Sequence, residues 1–121
     1  MAQKHETGKK GEQLALNLLQ KKGLTILETN WRYSRAEIDI IAKDKDVLVF
    51  VEVKTRTNRQ LTPPEASVTR KKRELLIEAA GAYMEAIGHD WEIRFDIISV
   101  VLWSEQQHEI THFEDAFFPG W

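Results

Sequence analysis

The chain has 121 residues, 42% hydrophobic and 30% charged, with a formal net charge of −2 and no cysteine. That length suits one domain around one core, and the lack of cysteine excludes disulfides and thiolate metal sites. No apolar run approaches the roughly 20 residues that cross a bilayer. The start, MAQKHETGKKGEQ, is charged and holds no apolar signal region, so a cytoplasmic protein with no membrane partner is the default expectation. The small net charge conceals an asymmetry. Residues 54–73 carry seven Lys/Arg against one acidic residue, whereas residues 74–121 carry one against ten. Such a basic stretch is either a solvated loop and helix start or an electrostatic footprint for a polyanion.

In chain order, Thr7 to Lys22 reads as a helix stopped by Gly23. Leu14, Ala15, Leu16, Leu18 and Leu19 form its apolar face. At about 100° per residue, Glu12 falls inside that apolar arc beside Leu16 and Leu19. It is either aimed at the core edge or simply a favourable anion in the first turn. Strand-like segments follow at Leu24 to Trp31, Ala36 to Ala42 and Val47 to Arg56, with Asp44-Lys45-Asp46 turning between the last two. Thr62-Pro63-Pro64-Glu65 resembles a capping box with proline at the first helical position. A second helix carries Leu75, Leu76, Ala79, Ala80, Tyr83, Met84 and Ile87 at helical spacing, and Gly88 marks its end. Glu92 to Leu102 is a fourth strand, and Glu109 to Phe113 a short fifth. The expectation is one α/β domain over residues 1–121, an αβββαβ core over about 7–103 with a tail at 104–121.

The third strand concentrates the chemistry. Val47, Leu48, Val49, Phe50, Val51 and Val53 are apolar on both faces, the pattern of a covered central strand. Glu52 and Lys54 interrupt it on one face, and a buried charge is costly unless paired or bound to a metal. In the second strand Glu37 and Asp39 share a face, opposite Ile38 and Ile40. With a two-residue Lys45-Asp46 loop, Asp39 lies opposite Glu52 and Glu37 opposite Lys54. An odd loop without a bulge sends the two carboxylates to opposite faces. In the favourable register the carboxylates repel unless a cation lies between them. The bland alternative is a Glu37–Lys54 salt bridge on a wet sheet face with Asp39 solvated.

At these residues a resemblance enters. Asp39, a hairpin, then Glu52-Val53-Lys54 resembles the PD-(D/E)xK nuclease motif. The wider set is GEQLA at 11–15, EIDIIA at 37–42, FVEVKTR at 50–56, SVTRKK at 67–72, RFDIISV at 94–100 and DAF at 115–117. It resembles the YraN-type family of small bacterial restriction-endonuclease-like proteins, itself similar to archaeal Holliday-junction resolvases. The likeness spans nearly the whole chain, and FVEVKTR is its most specific part. Ile38 stands where the motif name has proline, and Ala36 stands where glycine is expected before Glu37. A glycine there with φ > 0 would make Ala36 relax the turn.

The resemblance implies a restriction-endonuclease-like fold, a mixed central sheet flanked by helices, and a metal-dependent nuclease. Asp39, Glu52 and Lys54 would be its catalytic residues. Hard oxygen ligands suit Mg²⁺ or Mn²⁺. Asp39, Glu52, the Val53 carbonyl and Glu12 would hold the ion, with Glu37 behind them. Lys54 would orient the attacking water and offset charge developing on the phosphate. Arg56, Arg59, Arg70, Lys71, Lys72 and Arg73 would grip a nucleic-acid backbone, DNA ahead of RNA. Cations opening the second helix oppose its macrodipole, a conflict that an incoming phosphate relieves. Trp31, Arg32, Tyr33 and Arg35, in the loop before the acidic strand, would either stack on an unpaired base or leave Trp31 as a core or edge aromatic. Arg94 and Asp96, on one face of the fourth strand, read as a buried structural pair.

Two other functions compete with the nuclease reading. A non-catalytic nucleic-acid-binding module would keep the fold without turnover. His108-Glu109-Ile110-Thr111-His112 spells H-E-x-x-H, the zinc-protease signature, which has meaning only on a helix. A junction resolvase would need two active sites and hence a symmetric dimer. Phe117, Phe118 and Trp121 would either serve that interface or cap the core.

Overall fold

The computed structural model describes residues 2–57 and 68–117. Helix α1 (Ala2–Lys21) is followed by strands β1 (Thr25–Tyr33), β2 (Ala36–Asp44) and β3 (Val47–Thr57). Helix α2 (Arg70–Ile87) then leads to β4 (Ile93–Leu102) and β5 (His108–Phe117). The strands form one sheet in the order β1-β2-β3-β4-β5. The β3–β4 pair is parallel and the other three are antiparallel. A parallel pair needs a long crossover, and α2 lies within it. This mixed sheet flanked by helices has the expected restriction-endonuclease-like order.

Local sequence explains the boundaries. Gly23 (φ 92°) ends α1, where a left-handed residue suits glycine. Thr69 caps α2, its hydroxyl accepting from the Lys72 N–H at 3.2 Å, and Gly88 (φ 70°) closes the same helix. The expected capping box at Thr62–Glu65 lies outside the described residues. Two-residue turns join β1 to β2 and β2 to β3, through Ser34-Arg35 and Lys45-Asp46. Ser34 and Lys45 take the left-handed conformation at φ 56°. Ala36 does not, so the missing glycine imposes no strain there.

The sheet carries a hydrophobic cluster on each face. On one side Leu48, Phe50, Phe95 and Ile97 pack against Leu76, Ala79, Ala80 and Tyr83 of α2. On the other, Val49, Val51, Ile98 and Val100 pack against Ala15 and Leu19 of α1. β3 therefore alternates between two covered faces, as its continuous apolar run predicts. Burying such side chains contributes about 1.5–3 kcal/mol each before conformational entropy is set against it.

Two expectations fail. Residues 108–117 are not a tail with a short strand but a ten-residue strand paired with β4. Phe117 is buried and stacks on Phe95 at 4.9 Å, so it caps the core. Phe118 and Trp121 lie outside the described residues. Likewise β1 runs on past Trp31 through Arg32 and Tyr33, residues expected in a loop. Trp31 meets Tyr83 edge-on at 5.1 Å and packs against the α2-side cluster, which places it at the core edge.

Candidate active site

The β2–β3 ladder keeps one register from Asp44↔Val47 to Ile40↔Val51. The loop between them is the even one that the acidic faces require. The next pair in that register is Asp39 and Glu52, and there the strands part. Instead of a main-chain bond, the Val53 N–H donates to Asp39 Oδ2 at 2.7 Å. The fork has a cause in β2. Ala36, Ile38 and Ile41 join the α2-side cluster, whereas Ile40 and Ala42 join the α1 side. The strand thus changes phase beside Asp39, and the expectation that Ile38 and Ile40 share a face is wrong. Opposite Asp39 in the β1 register stands Asn30, whose φ of 51° marks the same irregularity. Asparagine tolerates that conformation better than most residues.

Asp39 and Glu52 are both buried, at 9% and 5% exposure. The Asp39 carboxyl is pushed up to about 9, first by burial, then by its hydrogen bond with Glu52 and by the Glu52 charge. The Val53 N–H opposes this rise, and the Glu12 charge adds a smaller push in the same direction. Two carboxyls in hydrogen-bond contact cannot both be ionised at low cost, so Asp39 keeps its proton well above the usual carboxylate range.

Glu12 reaches this field because α1 sits close to β3. A side chain at Gly11 would overlap the Thr55 hydroxyl, so glycine sets the approach of the helix. Half-buried Glu12 then accepts from Asn30 Nδ2 at 3.1 Å. Asn30 is a site neighbour that sequence reasoning missed, since nothing in its surroundings in the chain marks it.

Other expected members are placed differently. Lys54 is half-buried and lies in register with Ser99 of β4. The cation on Glu52 is Lys72 of α2, its Nζ 2.7 Å from Oε2. Glu37 pairs with Arg32 at 3.1 Å, so the structure gives no Glu37–Lys54 bridge. Among the basic residues, Arg56 donates to Ser99 Oγ at 3.3 Å and Arg70 pairs with Glu74 at 3.5 Å. Lys71 is exposed and Arg73 half-buried. Arg59 lies outside the described residues.

The donors fit a hard divalent cation in part. Among the described residues, no group of three or more His, Asp or Glu side chains is gathered into a ready metal cage. The acidic nucleus is the Asp39–Glu52 pair, with Glu12 nearby and main-chain oxygen such as that of Val53 to supplement it. Glu52 Oε2 is buried and lacks a properly directed hydrogen bond even though the Lys72 ammonium lies at 2.7 Å. It is paired by charge, and it retains a lone pair for a cation.

A second charged cluster lies across the sheet. Asp96 accepts two bonds from Arg94, at 2.8 and 2.9 Å, one from the Asp115 N–H at 3.0 Å, and contacts His112 Nε2 at 2.7 Å. Burial alone would raise its carboxyl, but His112, Arg94 and the Asp115 N–H together hold it below the usual range. Asp96 thus has its lone pairs met by the protein's own donors. His108 and His112 lie on β5, not a helix. Four residues along a strand span about 13 Å, so they cannot chelate one ion, and the zinc-protease reading falls.

Residues 11–100 match the uncharacterised protein family UPF0102. The chain belongs to UPF0102. This is the YraN-type family that the motifs resemble. A UPF0102 protein of Flavobacterium psychrophilum is 48% identical over 118 residues, covering 98% of both chains. Those of Christiangramia forsetii and Chlorobium phaeobacteroides are each 43% identical, covering 98% and 93% of this chain. Among solved structures, Pyrococcus furiosus SfsA in complex with Ca²⁺ aligns with a TM-score of 0.39 and 17% identity. That alignment covers 92% of this chain and 63% of SfsA, a likeness too distant to transfer a role. No described helix of this UPF0102 protein is long and apolar enough to cross a membrane.

Proposed function

We propose that this UPF0102 protein is a Mg²⁺- or Mn²⁺-dependent nuclease acting on nucleic acid, DNA ahead of RNA, in the cytoplasm. The observation that carries the reading is the fork at Asp39. Two buried carboxyls from neighbouring strands meet there, and burial and the contact with Glu52 push the Asp39 carboxyl up to about 9. A structural pair would be satisfied by donors, as Asp96 is. A divalent cation held by Asp39 and Glu52 would polarise the scissile phosphate and lower the pKa of the attacking water.

The chain's own groups do the rest. The Val53 N–H fixes the Asp39 carboxyl, leaving its second oxygen for the site. Glu12 adds negative potential from α1, directly or through water. Lys54, on the Glu52 face of β3, orients the attacking water and offsets charge developing on the phosphate. Arg56 and the first turn of α2 lie on the same side of the sheet, where they would bind phosphates without reading sequence. Two open clefts of about 550 and 630 Å³ flank Trp103, and neither is lined by Asp39, Glu52 or Lys54.

The test is a panel of branched, single-stranded and duplex DNA and RNA, incubated with Mg²⁺ or Mn²⁺. The wild type should cleave at least one member, and Asp39→Asn should cleave none. Unchanged cleavage by Asp39→Asn would reject the assignment. One observation favours a second reading, a binding module without turnover: an ammonium already stands beside Glu52. That reading predicts metal-independent, salt-sensitive affinity that survives Asp39→Asn. If the substrate is a four-way junction, cleavage of both strands requires a homodimer.

A further inference from the structure

Lys72 stands apart from the other cations of α2. It occupies the third residue of the helix, and its main-chain N–H is fixed by the Thr69 hydroxyl at 3.2 Å. A cation in this first turn opposes the helix dipole, so its position needs another source of stabilisation. Glu52 supplies one: Nζ lies 2.7 Å from Oε2, and the Glu52 side chain is 6% exposed whereas that of Lys72 is 39% exposed. One partner is fixed in the sheet; the other is a flexible four-carbon stem with a path to solvent. The contact is a close ion pair between a buried carboxylate and a solvent-reaching ammonium. Lys54, the lysine of the strand motif, does not take this place.

We propose that Lys72 is the site's resident counter-ion. Its ammonium neutralises Glu52 until a divalent cation binds, then leaves and becomes free to contact a backbone phosphate. This rests on the nuclease reading, but it adds a distinct claim. Metal and nucleic acid are coupled through one side chain of α2, and Lys72 is a positioning residue rather than one that touches the reacting atoms. Displacing Lys72 costs the metal part of its affinity. By linkage, whatever draws Lys72 away, including a phosphate, strengthens metal binding by the same factor.

The experiment is a Mn²⁺ titration followed by electron paramagnetic resonance of the free ion, on the full chain at fixed pH. Wild type, Lys72→Met, Lys72→Gln, Lys72→Arg and Asp39→Asn are compared. Removing the competing cation should tighten Mn²⁺ binding by about tenfold in both Lys72→Met and Lys72→Gln. Lys72→Arg should stay within about twofold of wild type, because the charge is kept. A non-hydrolysable phosphorothioate duplex should bind wild type more tightly when Mn²⁺ is present, and Lys72→Met should lose that gain. A merely structural lysine would not raise metal affinity when removed. Equal or weaker Mn²⁺ binding by Lys72→Met and Lys72→Gln, with Asp39→Asn losing the ion, would overturn the Lys72 proposal and leave the metal site standing. Mn²⁺ binding that survives Asp39→Asn, or is lacking in the wild type, would overturn both.

Discussion

Two buried aspartates in this molecule are treated in opposite ways. Asp96 receives Arg94, His112 and the Asp115 N–H, and stays ionised below its ordinary range. Asp39 receives one N–H and a second carboxyl, and its proton is held up to about 9. Both sit on the same sheet, two strands apart. A carboxylate placed for stability has its lone pairs filled by the protein. On the proposed nuclease reading, Asp39 is left without such donors so that a metal ion can complete it.

Substituting both aspartates is the strongest way to break this comparison. Asp39→Asn should lower any metal-dependent cleavage by about 100-fold or more and abolish stabilisation by Mn²⁺, while the protein stays folded. Asp96→Asn should leave Mn²⁺ stabilisation intact but cost about 3 kcal/mol, because it removes the buried carboxylate that half-buried Arg94 and His112 share, while Arg94 keeps Asp44 and Glu114. Calorimetry with and without Mn²⁺ separates the two. Were Asp96→Asn to remove the metal effect and Asp39→Asn to unfold the protein, the roles would be reversed.

Next in size is Gly11→Ala. A methyl there overlaps the Thr55 hydroxyl, so α1 must shift. The expected cost is about 1–3 kcal/mol, partly recovered by Thr55→Ala in a double-mutant cycle. The shift would carry Glu12 away from Asp39 and weaken Mn²⁺ binding as well.

The two aspartates should also give opposite pH signatures in the metal-free protein. The Asp39 pKa is higher folded than unfolded, so the folded state holds the extra proton. Its contribution to stability is greatest below the unfolded pKa and is lost as pH rises towards about 9. The Asp96 pKa is lower folded, so its contribution is present above the unfolded pKa and lost on acidification. Urea unfolding across pH should show the alkaline decline vanish in Asp39→Asn and with saturating Mn²⁺. A decline that persists in Asp39→Asn would assign it to another group. The smallest effect is expected at the exposed Lys71. Lys71→Ala should weaken nucleic-acid binding modestly and lower the salt slope by about one.

Much of the fold was readable because its signals are periodic. β3 is apolar on both faces, α2 repeats Leu76, Ala79, Ala80 and Tyr83 at helical spacing, and Gly23 and Gly88 stop their helices. The Asp39–Glu52 register followed from an even loop between two strands. What could not be read depends on long-range packing. β5 alternates weakly and is rich in charge, so its local pattern marks only Glu109 to Phe113, and pairing with β4 extends the strand from His108 to Phe117. The phase change beside Asp39 shows only in which cluster Ile38, Ile40 and Ile41 join, which no local pattern records. Glu37 turned to Arg32 on the neighbouring strand, and Lys72 reached Glu52 across the crossover, because side-chain reach depends on the tertiary distance between elements. Asn30 carried no chemical signature at all.

The most direct measurement is a crystal of the wild type soaked in Mn²⁺, read by anomalous scattering. The account predicts one strong peak about 2.2 Å from a carboxylate oxygen of both Asp39 and Glu52, with Lys72 Nζ withdrawn from Glu52. A Mn²⁺ peak elsewhere, with the two carboxyls still bonded to each other and Lys72 in place, would contradict it.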